Sequence, residues 1–183
     1  HAAGIVHRDF KTSNTILIGE RAVITDFGLA RSVDGGHDAG LTAEATLLGT
    51  PAYMAPEQVE GRAATPASDI YALGVVLFEM LTGAMPFAGD SDEVIAERCL
   101  AEPAPSARAF VPDMAPRWEQ AIARCLAREP SQRFSSAHEV LEAITGEATL
   151  ARRRRPSLIA AVRAAGAVVA AVVGLELRHR GDR

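Results

Sequence analysis

The chain has 183 residues, a formal net charge of −4, 48% hydrophobic and 5% aromatic content, and two cysteines. That length buries a sizeable core, and the apolar, aromatic-poor composition suits an Ala-rich helical domain. Cys99 and Cys125 read as buried, reduced residues rather than a disulfide, and the acidity of the domain argues against nucleic acid as a partner.

The first chemistry-bearing stretch is His7-Arg8-Asp9-Phe10-Lys11-Thr12-Ser13-Asn14, and Asp26-Phe27-Gly28 begins twelve residues after Asn14. Lys11 is the only lysine beside eighteen arginines. A compact ammonium on a flexible stem serves a phosphate differently from a planar guanidinium, so its position is informative. Between the two stretches, Ile16-Leu17-Ile18 and Ala22-Val23-Ile24-Thr25 are β-rich runs separated by Gly19-Glu20-Arg21, which predicts a hairpin leading into Asp26. A carboxylate, a lone lysine, an amide and a second carboxylate in this order suit phosphoryl transfer. That reaction needs an aligned hydroxyl, neutralised phosphoryl oxygens and hard oxygen ligands for a metal. With no histidine or cysteine cluster nearby, the metal expected is Mg²⁺ rather than zinc.

Further along, Gly49-Thr50-Pro51-Ala52-Tyr53-Met54-Ala55-Pro56-Glu57 completes a pattern. With the earlier stretches, it resembles the catalytic loop, metal-binding turn, P+1 loop and APE motif of protein kinases, closest to bacterial serine/threonine kinases of the eukaryotic-like type. The resemblance runs to about residue 145. It implies an α+β, mainly α, protein-kinase-like fold, ATP and Mg²⁺ as cofactors, and protein serine or threonine hydroxyls as substrates. It makes Asp9 the residue that accepts or orients the substrate proton, Lys11 a γ-phosphate contact, and Asn14 and Asp26 the Mg²⁺ ligands. Thr50 is then the hydroxyl that braces Asp9 and Lys11. Phe10 replaces the family's commoner leucine, which concerns local packing, and His7 is assigned no chemical step.

The same resemblance implies three structural residues. Asp69, in Asp69-Ile70-Tyr71-Ala72-Leu73-Gly74, would accept backbone N–H groups of the catalytic loop. Arg133, in Pro130-Ser131-Gln132-Arg133-Phe134, would pair with Glu57. Arg8 beside the catalytic aspartate implies an activation segment ordered by phosphorylation, with Thr42 and Thr46 as acceptors and Thr42 favoured.

Helix signals follow Glu57 closely. An apolar helix is predicted over 69–82, closing at Gly83, and Asp90-x-x-Glu93 and Ser136-x-x-Glu139 predict capping boxes before Val94 and Val140. Pro116 opens a helix in which Trp118, Ile122 and Leu126 form a stripe spaced by four.

From residue 150 the chain changes character. Residues 150–183 hold eight arginines against Glu176 and Asp182, a balance of +6, which leaves 11 basic and 21 acidic residues before them, or −10. Arg152 to Arg155 precede an apolar run from Leu158 to Leu175 broken only by Arg163, just long enough to span a bilayer. Its eight Leu, Ile and Val residues gain roughly 0.3 to 0.6 kcal/mol each, nearly cancelled by a charge costing about 2.5 to 3.5. Arg163 lies near one end, where it can snorkel. The expectation is a single transmembrane helix over 157–176, a basic juxtamembrane linker over 146–156 and a short tail over 177–183. The kinase part would then face the cytoplasm from a cytoplasmic membrane, by the positive-inside rule. A surface-lying helix and a soluble Ala-rich helix are the alternatives. Gly166, Ala170 and Gly174 read first as Ala-rich composition, with a homodimer contact as the alternative.

The sequence contains no Gly-rich phosphate loop, no Val-Ala-Ile-Lys lysine and no helix to supply that lysine's glutamate. Residues 1–145 are therefore expected to be the C-terminal lobe only, a partial catalytic domain inactive by itself. The alternative function is a binding or scaffold protein, or a decayed kinase, that uses the helical surface without catalysis.

Overall fold

The structure, a computed structural model, describes residues 6–18, 21–26 and 50–145. Thr42, Thr46, Phe27, Gly28 and the apolar run over 157–176 lie outside the described residues.

The hairpin lies where the β-rich runs predict it. Strands β1 (Thr15–Ile18) and β2 (Arg21–Ile24) pair antiparallel, with Thr15 opposite Ile24 and Ile18 opposite Arg21. The pair leaves Ile16 50%, Leu17 47% and Ile18 63% exposed. Among the described residues, five α-helices follow: α1 (Pro56–Val59), α2 (Pro66–Thr82), α3 (Asp92–Ala101), α4 (Pro116–Cys125) and α5 (Ala137–Thr145).

Helix α2 is the axis. Its buried residues run from Ser68 through Leu81 and cover all sides, from Ile70 and Tyr71 to Leu77 and Phe78. A helix apolar all round has to be wrapped by other elements. It begins one turn earlier than the sequence predicts, because Pro66 occupies the first helical position and the Ser68 hydroxyl accepts the Thr65 N–H at 3.0 Å. It ends at Gly83, whose φ of 73° is the left-handed stop that glycine adopts without strain. Helix α4 lies so close to α2 that a Cβ on Gly74 would meet Cys125 Cβ at 2.6 Å. Trp118, Ile122 and Leu126 are buried in that contact region, as their spacing predicts, and α5 packs on α4. Both cysteines are buried and free.

Two caps differ from the sequence reading. Ser91, not Asp90, caps α3: its hydroxyl accepts the Val94 N–H at 3.4 Å from extended backbone. The hydroxyl, one atom off Cβ, reaches the third residue of the helix from one position later than the acid would. At α5 the Ser136 hydroxyl accepts the Glu139 N–H at 3.3 Å, but the Glu139 carboxylate returns to the N–H and hydroxyl of Ser135. The α3 cap and helix start are thus shifted by one residue, while at α5 Ser136 caps as expected and only the returning carboxylate is displaced.

The structure brings Glu57 and Arg133 together in a two-pronged pair, 2.7 Å on each prong, with side-chain exposures of 3% and 0%. Arg133 also donates to the carbonyls of Ala67, Ala127 and Arg128 at 2.8 to 2.9 Å. Those bonds use all five guanidinium N–H groups. Ser68 donates to Glu57 at 2.8 Å. One buried cation thereby joins α1, the start of α2 and the segment after α4. Burial pushes the Glu57 carboxyl up, but hydrogen bonds from Arg133 and Ser68 and the nearby positive charge outweigh it and hold the group below its usual range.

A carboxyl held lower in the folded than in the unfolded protein adds stability above its unfolded value. That stability is lost as pH falls through the depressed folded value. Arg133→Met is predicted to cost about 3 to 5 kcal/mol at neutral pH, since Glu57 is left buried and unpaired. Urea melts should also show the variant losing less stability than the wild type on acidification below about pH 4. Equal acid sensitivity in the two proteins would contradict this.

Candidate active site

The site is assembled on the axis helix. Asp69, in the first turn of α2, accepts the backbone N–H of His7 at 2.7 Å and of Arg8 at 3.0 Å. Arg8 is held at φ 70° and Asp26 at φ 54°, the positive-φ non-glycine residues among those described. Such conformations cost energy and persist where surrounding bonds enforce them, as the two Asp69 bonds do at Arg8.

Asp9 and Lys11 form an ion pair at 2.8 Å, with side chains 34% and 22% exposed. Lys11 Nζ also donates to Thr50 Oγ1 at 3.1 Å, which brings the catalytic stretch against the Thr50 turn. Asn14 is buried and donates through Nδ2 to the Asp9 carbonyl at 2.9 Å and its carboxylate at 3.3 Å. Both amide protons are then committed to Asp9, which turns the amide oxygen away as the group able to take a cation. The Asn14 carbonyl accepts the Thr25 N–H at 2.9 Å, so the residue next to Asp26 is fastened to the residue just before the hairpin.

His7 completes that fastening. Its Nε2 lies 3.1 Å from the Thr25 carbonyl. A carbonyl only accepts, so Nε2 carries the proton. Its ring meets Phe10 edge-on, with centroids 5.8 Å apart, and both residues are buried. The histidine and the unusual phenylalanine are thus packing partners under the loop.

The Asn14 amide oxygen and the exposed Asp26 carboxylate are hard oxygen groups of the kind that could hold a metal. Among the described residues, no three His, Cys, Asp or Glu side chains cluster as a metal site. Two protein oxygens suit Mg²⁺, which keeps waters and phosphate oxygens in the rest of its shell.

Three residues that sequence reasoning passed over adjoin this cluster. Tyr53 donates to the Glu79 carboxylate at 2.6 Å, and Thr12 Oγ1 lies 2.7 Å from the Tyr53 oxygen. Glu79 offered a signal, as the acid between Asp69 and Gly83 in an otherwise apolar helix. Thr12 and Tyr53 sat inside stretches already singled out but carried no separate mark.

Residues 1–144 match the model of the protein kinase domain family. Serine/threonine-protein kinase PknL of Mycobacterium tuberculosis (strain CDC 1551 / Oshkosh) is 40% identical over 161 residues, 86% of this chain and 40% of that protein. Serine/threonine-protein kinase PknA of Mycobacterium tuberculosis (strain ATCC 25177 / H37Ra) is 40% identical over 158 residues, 86% of this chain and 35% of that protein. The chain spans two fifths or less of the length of these relatives. With the family match covering most of the chain and the site geometry alongside it, the conclusion is that this chain belongs to the protein kinase family.

Proposed function

We propose that the protein containing this chain transfers the γ-phosphate of ATP to serine or threonine hydroxyls of protein substrates in bacterial signalling. The observation that carries the reading is one connected series of contacts at the loop: Lys11 joins Asp9 to Thr50, and Asn14 donates to Asp9. Asp9, oriented by Asn14 and Lys11, would accept the hydrogen bond of the substrate hydroxyl and align its oxygen. As that oxygen bonds to phosphorus and the bond to the leaving phosphate oxygen breaks, the hydroxyl proton passes to Asp9. Lys11 sits beside the base, where its ammonium would meet the charge on the phosphoryl oxygens. Asn14 and Asp26 would hold Mg²⁺, whose charge draws the phosphates together and neutralises them when it is bound.

The apolar hairpin supports the further reading that a nucleotide-binding lobe rests on this one. Ile16, Ile18 and Val23 share one face of the hairpin and are each at least 37% exposed, and an exposed apolar face is a common mark of an interface. A membrane tether over 157–176 belongs to the same proposal, resting on the apolar run and the arginines before it. Among the described residues, no helix is long and apolar enough to cross a membrane.

In the full-length gene product, Asp9→Asn is predicted to lower kcat by roughly 10² to 10⁴ with the melting temperature unchanged, as expected for loss of a general base. Lys11→Arg should also be poorly tolerated, because a planar fork cannot replace the ammonium between Asp9 and Thr50. Transfer of labelled phosphate to a peptide at the wild-type rate by Asp9→Asn would remove the reading.

Regulation by the activation segment rests on Arg8, whose side chain is exposed while its backbone is tied to Asp69. A phosphate there brings about −1.5 to −2 charge for the guanidinium to bind. After incubation with ATP and Mg²⁺, mass spectrometry is expected to find phosphate on Thr42 first. Full activity of the Thr42→Ala, Thr46→Ala double variant would show that the segment is ordered another way.

A further inference from the structure

Two short 3₁₀ turns face each other at the site. One runs Thr12–Asn14 with Lys11 as its N-cap, and the other runs Pro51–Tyr53 with Thr50 as its N-cap. The N-cap residues are joined by Lys11 Nζ and Thr50 Oγ1 at 3.1 Å. The turns are joined again, one residue into the first and at the end of the second, by Thr12 Oγ1 and the Tyr53 hydroxyl at 2.7 Å. This second tie continues to α2, where Tyr53 donates to Glu79 at 2.6 Å.

We propose that Thr12, Tyr53 and Glu79 form a hydrogen-bonded positioning relay that sets Lys11 and Asn14 against Thr50 for the phosphoryl transfer proposed above, a role that rests on that reading. The direction of the relay follows from the chemistry. Burial and donation to Glu79 push the Tyr53 phenol up to about 12, so it keeps its one proton at neutral pH, and that proton is committed to the carboxylate. The Tyr53 oxygen is then left only as an acceptor, so the Thr12 hydroxyl donates to it. Thr12 to Tyr53 to Glu79 is thus a single-polarity chain ending on an anion, the arrangement in which successive hydrogen bonds strengthen one another. Its origin is the first residue of the turn that carries Asn14, immediately after Lys11. Losing the Thr12 hydroxyl would free that turn to rotate while Asp69 still held the loop's other end.

The experiment uses the full-length gene product with ATP, Mg²⁺ and a threonine peptide that the wild type phosphorylates. Thr12→Val keeps the shape and removes the hydroxyl, and Tyr53→Phe does the same at the next link. Each is expected to lower kcat about fivefold or more, with KM for ATP within about twofold, since the relay acts on groups at the transferred phosphoryl and not on the adenosine. The double variant should be no slower than the slower single one, because both break one chain. Glu79→Gln, whose amide oxygen still accepts from Tyr53 but carries no charge, should lower kcat less than Glu79→Leu, which should behave like Tyr53→Phe. Wild-type kcat in Thr12→Val and Tyr53→Phe, multiplicative losses in the double variant, or effects confined to KM would overturn the relay while leaving the kinase reading in place. A correctly folded wild type that transfers no phosphate would instead remove the kinase reading, and the relay's role in transfer with it.

Discussion

Asp69 holds the catalytic loop by two backbone N–H groups, His7 and Arg8, from the first turn of a helix that is buried on all sides. A carboxylate is well placed there, since the positive end of the helix dipole favours it. The bonds it makes fix Arg8 in a left-handed conformation that the residue would not choose alone. From that point the geometry propagates. Asp9 follows Arg8, Lys11 pairs with Asp9, Asn14 donates back to Asp9, and Thr25 fastens to Asn14 one residue before Asp26. A loop of polar residues is thereby given the rigidity of the core beneath it.

A second set of ties holds the opposite wall. Glu57 opens α1 and is clamped by Arg133 and Ser68, so the turn from Thr50 to Tyr53 enters a segment whose far end is pinned to α2 and to the region after α4. Arg133 spends every donor it has, which keeps the cost of burying two charges from going unpaid. Lys11–Thr50 and Thr12–Tyr53–Glu79 then bridge the two walls. The proposed catalytic residues thus lie between two anchored segments. That division suits a reaction whose catalysis is mostly positioning, because both walls can be set before substrate arrives.

Much of this is legible in the sequence, for reasons that differ by element. The hairpin follows from two β-rich runs around a glycine-containing turn, and the stripe Trp118, Ile122 and Leu126 follows from a side-chain periodicity that burial enforces. The loop partners of Asp69 and the Glu57 partner of Arg133 lie 61 to 76 residues away, beyond anything that local pattern can express, and only the family resemblance pointed to them. The cap of α3 slipped by one residue because the Ser91 hydroxyl beside Asp90 competes with it for the same N–H groups, and spacing alone does not say which wins. The relay was not legible. Threonine and tyrosine hydroxyls serve surface, turn and core alike, and their value here comes from a third residue, Glu79, that tertiary packing delivers.

The account depends most on the claim that one carboxylate holds the loop. Amide hydrogen exchange by NMR, on the full-length gene product and its Asp69→Ala variant, addresses it directly. The wild type should protect the His7 and Arg8 amides nearly as well as the interior of α2. The variant should expose those two amides while α2 and α4 remain protected. Rapid exchange at His7 and Arg8 in the wild type, or protection that survives the loss of Asp69, would contradict the account.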